Sequence, residues 1–351
     1  MIREAAETRG SNEPGMSGNP QTQKEDDSRR AFRPWSWLAW IIGAVSCAAL
    51  VFVVTHRAEE KEFLKLARTI RPAWLGLALL LQSFTYVTQG LVWRATARAA
   101  GHRLTFGDAC KLSLASLFAD QALPTAGLSG VTVASSALTR LGMSRAGVTW
   151  AVLVDLAMYS LAYALCMSVA IAVSVFRHSL PGWIELTMAS YILIRLAMAW
   201  VMMKLPAGGL KRLRKRLARV RKLAPFMSSL EEVDRKSLRE GKVLAEVFAL
   251  HLATFLLDTT TLWVAVLGLG GTVSPGAVFI SFMAATFFRT IGIVPGGLGT
   301  FEAASVISLK SMGLPLSMAL SATLLFRGFS FWLPMIPGLV CSRRLLGSPR
   351  G

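Results

Sequence analysis

The stretch TIGIVPGGLGTFEAAS, Thr290 to Ser305, places four glycines, a proline and a carboxylate inside one of the most apolar parts of the chain. No helix runs through it undisturbed, because proline removes a backbone donor and each glycine costs about 1 kcal/mol relative to alanine. Breaking a helix at membrane depth frees N–H groups and presents helix ends. Their partial positive charge suits an anionic head group.

The rest of the chain supplies the membrane. Of 351 residues, 53% are hydrophobic, and the mean hydropathy is +0.50, values that exclude an ordinary water-facing surface. Apolar runs long enough to cross a hydrocarbon core of about 30 Å occur near 35–54, 72–93, 148–176, 183–203, 243–268 and 315–341. Two further apolar segments are too interrupted to span. They are 110–141, broken at LPTAGLSG, and 277–312, broken at VPGGLG. Each reads as two short helices around a Pro/Gly turn.

The net charge of +18 is concentrated. Between Lys204 and Lys242 there are 13 Lys/Arg against 4 Asp/Glu, with no aromatic platform among them. This reads as a cytoplasmic loop leaning on anionic lipid heads, and nucleic-acid binding is not expected. The same rule places both termini in the cytoplasm of a bacterial-type inner membrane. The first 34 residues are too polar to build a core and too long for a signal-peptide n-region. Cys47, Cys110, Cys166 and Cys341 are scattered, with neither CxxC nor histidine at metal spacing, so no metal, disulfide framework or cofactor is expected.

Pro124 and Pro295 are 171 residues apart, as are Gly142 and Gly313. A span, a broken hairpin and a span therefore occur twice, and the first copy opens from outside to inside while the second opens from inside to outside. The expected fold is an all-α integral membrane protein of about six full spans plus two re-entrant hairpins in an inverted repeat. Its parts are a tail (1–34), a first helix (35–54), a first half (72–203, hairpin 110–141), a basic loop (204–242), a second half (243–341, hairpin 277–312) and a tail (342–351).

VPGGLGTFEAA, LLFRGFSFWLPMIPG and LPTAGLSGVTVASSALTRLGMS together resemble the lysylphosphatidylglycerol synthase transmembrane-region family of flippase-like membrane proteins. The resemblance covers roughly residues 72–341 and implies a lipid-handling module. The first hairpin departs from the family's PxRxGE pattern, since Pro124 to Gly130 carries no charge. The soluble aminoacyl-transfer domain of fused members has no counterpart in the short basic loop, so lysyl transfer by this chain alone is not expected.

Ionisable groups near a bilayer centre cost roughly 2.5–3.5 kcal/mol each on insertion and count as functional candidates. Here they are Asp120, Asp155, Arg195, Asp258, Arg289, Glu302 and Arg327, joined by the turn residues Pro124, Pro295, Gly296, Gly297 and Gly299. Glu302 either caps the helix after the turn or takes part in proton or cation coupling. Arg289 either pairs with Glu302 or serves as a phosphate ligand. The repeat offset brings Asp155 beside the equivalent of Arg327, suggesting a gating pair between the halves. His251, Thr254, Asp258 and Thr261 share one helix face, as a polar path or as packing contacts. GLGTFE is not a dinucleotide motif, because Glu302 replaces its last glycine and no βαβ unit surrounds it.

The expected function is flippase-like or transporter-like handling of an anionic lipid or lipid-linked substrate, driven by an ion gradient or a partner, with no catalytic residue assigned. A lipid-modifying enzyme using Asp120, Asp155 or Glu302, and a scaffold recruiting an envelope-synthesis enzyme, are the competing readings.

Overall fold

The computed structural model describes residues 70–123, 128–177, 181–204, 241–291 and 295–346. The expected span at 35–54, both tails beyond these limits, the basic loop over 205–240 and Pro124 lie outside the described residues. Within them there is no strand.

Five of the six expected spans are found. Helix α1 (Pro72–Ala99) starts with proline in its first turn, where the missing N–H costs nothing. Helices α4 (Arg145–Arg177), α5 (Gly182–Lys204) and α6 (Gly241–Gly268) follow the apolar runs. The last span, Leu316–Leu346, is continuous but not uniform. It consists of α9 (Leu316–Arg327), a π-helical turn (Gly328–Trp332) and α10 (Leu333–Leu346).

The interrupted segments form the two hairpins. The first pairs α2 (Phe106–Ala122) with α3 (Leu128–Arg140), and the second pairs α7 (Pro275–Ile291) with α8 (Thr300–Ser311). At 1.5 Å per residue the longest of these arms reaches about 25 Å, short of a full crossing. Thr105 fixes where α2 begins by accepting from the Asp108 N–H at 3.1 Å.

Helices α1 and α6, which open the two expected copies, pack along their whole length. Trp74 lies against Gly268. Gln82 donates to Asp258 at 3.1 Å. The Thr88 and Thr254 hydroxyls bond at 2.8 Å, and Arg98 meets Glu246 at 2.6 Å. As the α1 number rises the α6 number falls, so the two helices are antiparallel, as an inverted duplication requires.

Two apolar clusters hold the bundle. One gathers Trp93, Leu112, Leu138 and Trp150 around the first hairpin, and the other gathers Phe255, Phe282, Phe301 and Phe326 around the second. Along α6 the first cluster ends at Val247 and the second begins at Phe255, with His251 and Thr254 between them. Two polar contacts occupy this intermediate layer, His251 with Asp155 and Thr254 with Thr88. Helix α5 is different: only Met188, Arg195 and Ala199 are buried, and its remaining apolar surface suits contact with lipid.

Candidate site at the meeting of the hairpin tips

The glycine turn that opened the sequence reading is a 3₁₀ turn, Pro295–Gly297, leading into α8. Gly296, Gly297 and Gly299 take φ of 56°, 67° and 82°, the left-handed region that side chains disfavour. Space forbids side chains at two of them as well. A Cβ on Gly296 would strike the Phe331 ring, and one on Gly297 would strike Arg289.

Glu302 locks the turn from inside. Its Oε2 accepts from the Gly299 N–H at 2.7 Å, the backward half of a capping box. Its Oε1 accepts from Arg327 Nε at 2.6 Å. Arg327 also donates through Nη2 to the Gly296 carbonyl at 3.1 Å, and its guanidinium lies 4.4 Å from the Phe331 ring centroid. Glu302 and Arg327 are 2% and 3% exposed, so both side chains are buried against the turn.

Two expected pairings are corrected here. Arg327 does not pair with Asp155. The Asp155 carboxylate instead accepts from Gln89 Nε2 at 3.2 Å and stands 3.2 Å from His251 Nε2. Glu302 does not pair with Arg289, because Arg327 occupies it. Equivalence under a repeat offset makes two positions related by symmetry, which is not the same as contact.

Arg289, in the last turn of α7, is left over. It makes no hydrogen bond or ion pair with any described residue and is partly accessible. Its charge is felt by Asp120 and by Asp258. Asp120 belongs to the tip of the other hairpin. There its Oδ1 accepts from the Gly130 N–H at 2.6 Å, tying the start of α3 back to the end of α2 across the break. The same helix end is held by Ser129 Oγ, which donates to the Ala119 carbonyl at 2.9 Å. A Cβ on Gly130 would overlap the Asp120 carboxylate. Asp258, on the α6 side of the seam, is partly accessible and accepts from Gln82 of α1. The tip of the first hairpin and the α1–α6 seam thus bring Asp120 and Asp258 each within electrostatic reach of Arg289.

Other candidates resolve separately. His251 and Thr254 contact α4 and α1, whereas Thr261 bonds back to its own helix at Leu257. Arg195 is buried under tyrosines, 4.9 Å from the Tyr163 ring centroid and 5.1 Å from that of Tyr159. Among the described residues no group of three or more His, Cys, Asp or Glu is gathered. A cleft of about 730 Å³ lies elsewhere, between Gly270–Ser274 and Ser311–Pro315. Ala277 at its edge is twelve residues, or about 18 Å of helix, from Arg289.

Sequence reading missed Gln82, Tyr86, Gln89 and Gln121, because neutral side chains raise no alarm in an apolar run. Gln82 and Gln89 are nevertheless seven apart on one face of α1, a spacing that could have marked them.

Comparison with known proteins shows the family. The chain is 23% identical to a UPF0104 membrane protein of Methanocaldococcus jannaschii over 314 residues, 86% of this chain and 93% of that one. It is 30% identical over 152 residues to a UPF0104 membrane protein of Pyrococcus horikoshii, covering 38% of this chain and 45% of the relative. A shorter match, 30% identical over 105 residues, is to a phosphatidylglycerol lysyltransferase of Staphylococcus haemolyticus and covers 30% of this chain but only 11% of that enzyme. The family model for the lysylphosphatidylglycerol synthase transmembrane region matches residues 37–338, and the chain, a multi-pass membrane protein, belongs to that family.

Proposed function

We propose that this protein is a flippase-like carrier that takes the head group of an anionic lipid or lipid-linked molecule between its hairpin tips and passes it across the inner membrane, with both termini cytoplasmic. One observation carries the reading. Arg289 is a partly accessible cation at the junction of the two tips, and no described residue gives it a hydrogen bond or ion pair. A guanidinium so placed is costly in a membrane unless an anion completes it, and its planar fork matches phosphate.

Two further features support it. Two broken hairpins from opposed halves give one central site access to either face. The name of one relative refers to phosphatidylglycerol, an anionic lipid.

The test is native mass spectrometry of gently purified protein beside Arg289→Ala and Arg289→Lys. The expected result is a distinct anionic lipid retained by the parent and lost from the alanine variant at unchanged fold. That lipid, carrying a fluorophore, is then followed between leaflets of proteoliposomes by reduction of the outer leaflet with dithionite. Identical bulk lipids on parent and variants, with no accelerated movement between leaflets, would overturn the reading.

A further inference from the structure

Three buried oxygen atoms beside the tips lack hydrogen-bond partners: Oε1 of Gln82, Oε1 of Gln121 and Oγ of Ser330. The amides are not free to turn. Gln82 gives its Nε2 to the Asp258 carboxylate at 3.1 Å, and Gln121 gives its Nε2 to the Ser330 carbonyl at 3.0 Å. Both partners are pure acceptors, so each amide must direct its NH₂ there and leave its carbonyl oxygen unpaired. Gln82 is 2% and Gln121 is 7% exposed, where bulk water cannot complete them.

These atoms belong to one neighbourhood. Tyr86 donates to the Phe329 carbonyl at 2.6 Å, next to the Ser330 carbonyl that holds Gln121. Tyr86 interacts in turn with Gln82 and with the charge of Asp258. Phe329 and Ser330 lie in the π-helical turn, whose widened spacing turns carbonyls away from the helix ladder. Gln82 of α1 thus holds the Asp258 carboxylate of α6, and Tyr86 one turn further along α1 bonds the π-helical turn of the last span, whose Ser330 carbonyl holds Gln121 of α2.

Its chemistry is all oxygen, with no sulfur and no imidazole. Orphaned acceptors need a donor or a cation. A single carboxylate balances one positive charge, whereas a divalent ion would leave an uncompensated charge in a low-dielectric interior. We infer that Asp258, with the side-chain oxygens of Gln82, Gln121 and Ser330, forms a binding site for a monovalent alkali cation, sodium being the first probe.

Such an ion has a consequence for Arg289. Asp258 attracts Arg289, and a cation on Asp258 removes that attraction, leaving the guanidinium to a phosphate. By linkage, the anion then raises cation affinity by the same factor. This coupling rests on the function proposed above, whereas the cation site stands without it.

The site is tested on the full chain, purified and held in choline chloride at fixed ionic strength. Binding of ²²Na⁺ is measured by scintillation proximity, and the thermal unfolding midpoint is followed as choline is replaced by Na⁺ or K⁺. The expected result is saturable binding displaced by unlabelled alkali ion, a midpoint that rises with the ion, and at least tenfold weaker binding in Asp258→Asn. If that variant does not fold, Ser330→Ala decides, with weaker binding supporting the site and unchanged binding overturning it. A parent that binds no ²²Na⁺ and unfolds at the same temperature in choline, Na⁺ and K⁺ also overturns it. So does one whose midpoint responds to pH alone. Lipid movement plays no part in either readout, so failure of the carrier reading remains distinguishable from failure of this one.

Discussion

Arg327 donates to Glu302 at 2.6 Å in a place where neither side chain is more than 3% exposed. The pair is the clasp of the glycine turn. Glu302 holds the Gly299 N–H and Arg327 holds the Gly296 carbonyl, so the two ends of GGLG are tied to one ion pair. These bonds shape the tip, and in the carrier reading proposed above the contact with ligand falls to Arg289.

Removing one partner strands the other charge in a dry interior, so Glu302→Gln and Arg327→Met should each destabilise by about 3–5 kcal/mol. The double variant should lose clearly less than the sum, because it leaves no buried charge unpaired. Thermal unfolding in detergent, followed by size-exclusion chromatography of the surviving fraction, measures the cycle. Additive losses would mean that the pair is not coupled.

Much of this architecture is legible in the sequence and some is not, for physical reasons. Spans are written in apolar length, and the hairpins are written in Pro124 and Pro295, since a break in an apolar run has few explanations. Which charge meets which is another matter. Arg289, Arg327 and Asp155 each had a partner suggested by spacing, and Arg327 found Glu302 because the register of α9 carries it over the turn. Such register depends on helix packing, seen in the backbone of α1 lying against that of α2 at Gly90 and Ala109. No single segment encodes that.

The glycines of the turn are not equivalent to glycines nearby. Gly297→Ala forces a side chain into φ of 67° and into Arg289, and should cost at least about 1–2 kcal/mol from the backbone alone. Gly328→Ala, at φ −53° with nothing within 4 Å of a new Cβ, should be neutral or slightly stabilising. Paired melting curves of the two variants give the contrast directly, and equal losses would contradict the turn geometry.

The antiparallel seam of α1 and α6 makes a covalent prediction. In a background with its native cysteines replaced by serine, Thr88→Cys with Thr254→Cys should cross-link efficiently, because the γ oxygens that the sulfurs would replace already meet at 2.8 Å. Arg98→Cys with Gly268→Cys should not, since Gly268 sits at the opposite end beside Trp74. Gel mobility under mild oxidation or with a short bismaleimide reads the result, and the reverse pattern would show the two helices to be parallel.

Asp120 carries two jobs whose energies should move in opposite directions when it is changed. It accepts from the Gly130 N–H at 2.6 Å, and its charge attracts Arg289 from the facing hairpin. Asp120→Asn keeps an oxygen acceptor for Gly130 but removes the charge, so it should cost less stability than Asp120→Ala, which loses a cap of about 0.5–2 kcal/mol. Both substitutions free Arg289 from a competing anion, so both should bind an anionic lipid more tightly than the parent, the asparagine variant at nearly parental stability. Lipid titration by native mass spectrometry, set beside melting curves, separates the two effects. Weaker lipid binding by a stable Asp120→Asn protein would mean that Asp120 itself contacts the head group and that the site extends across both tips.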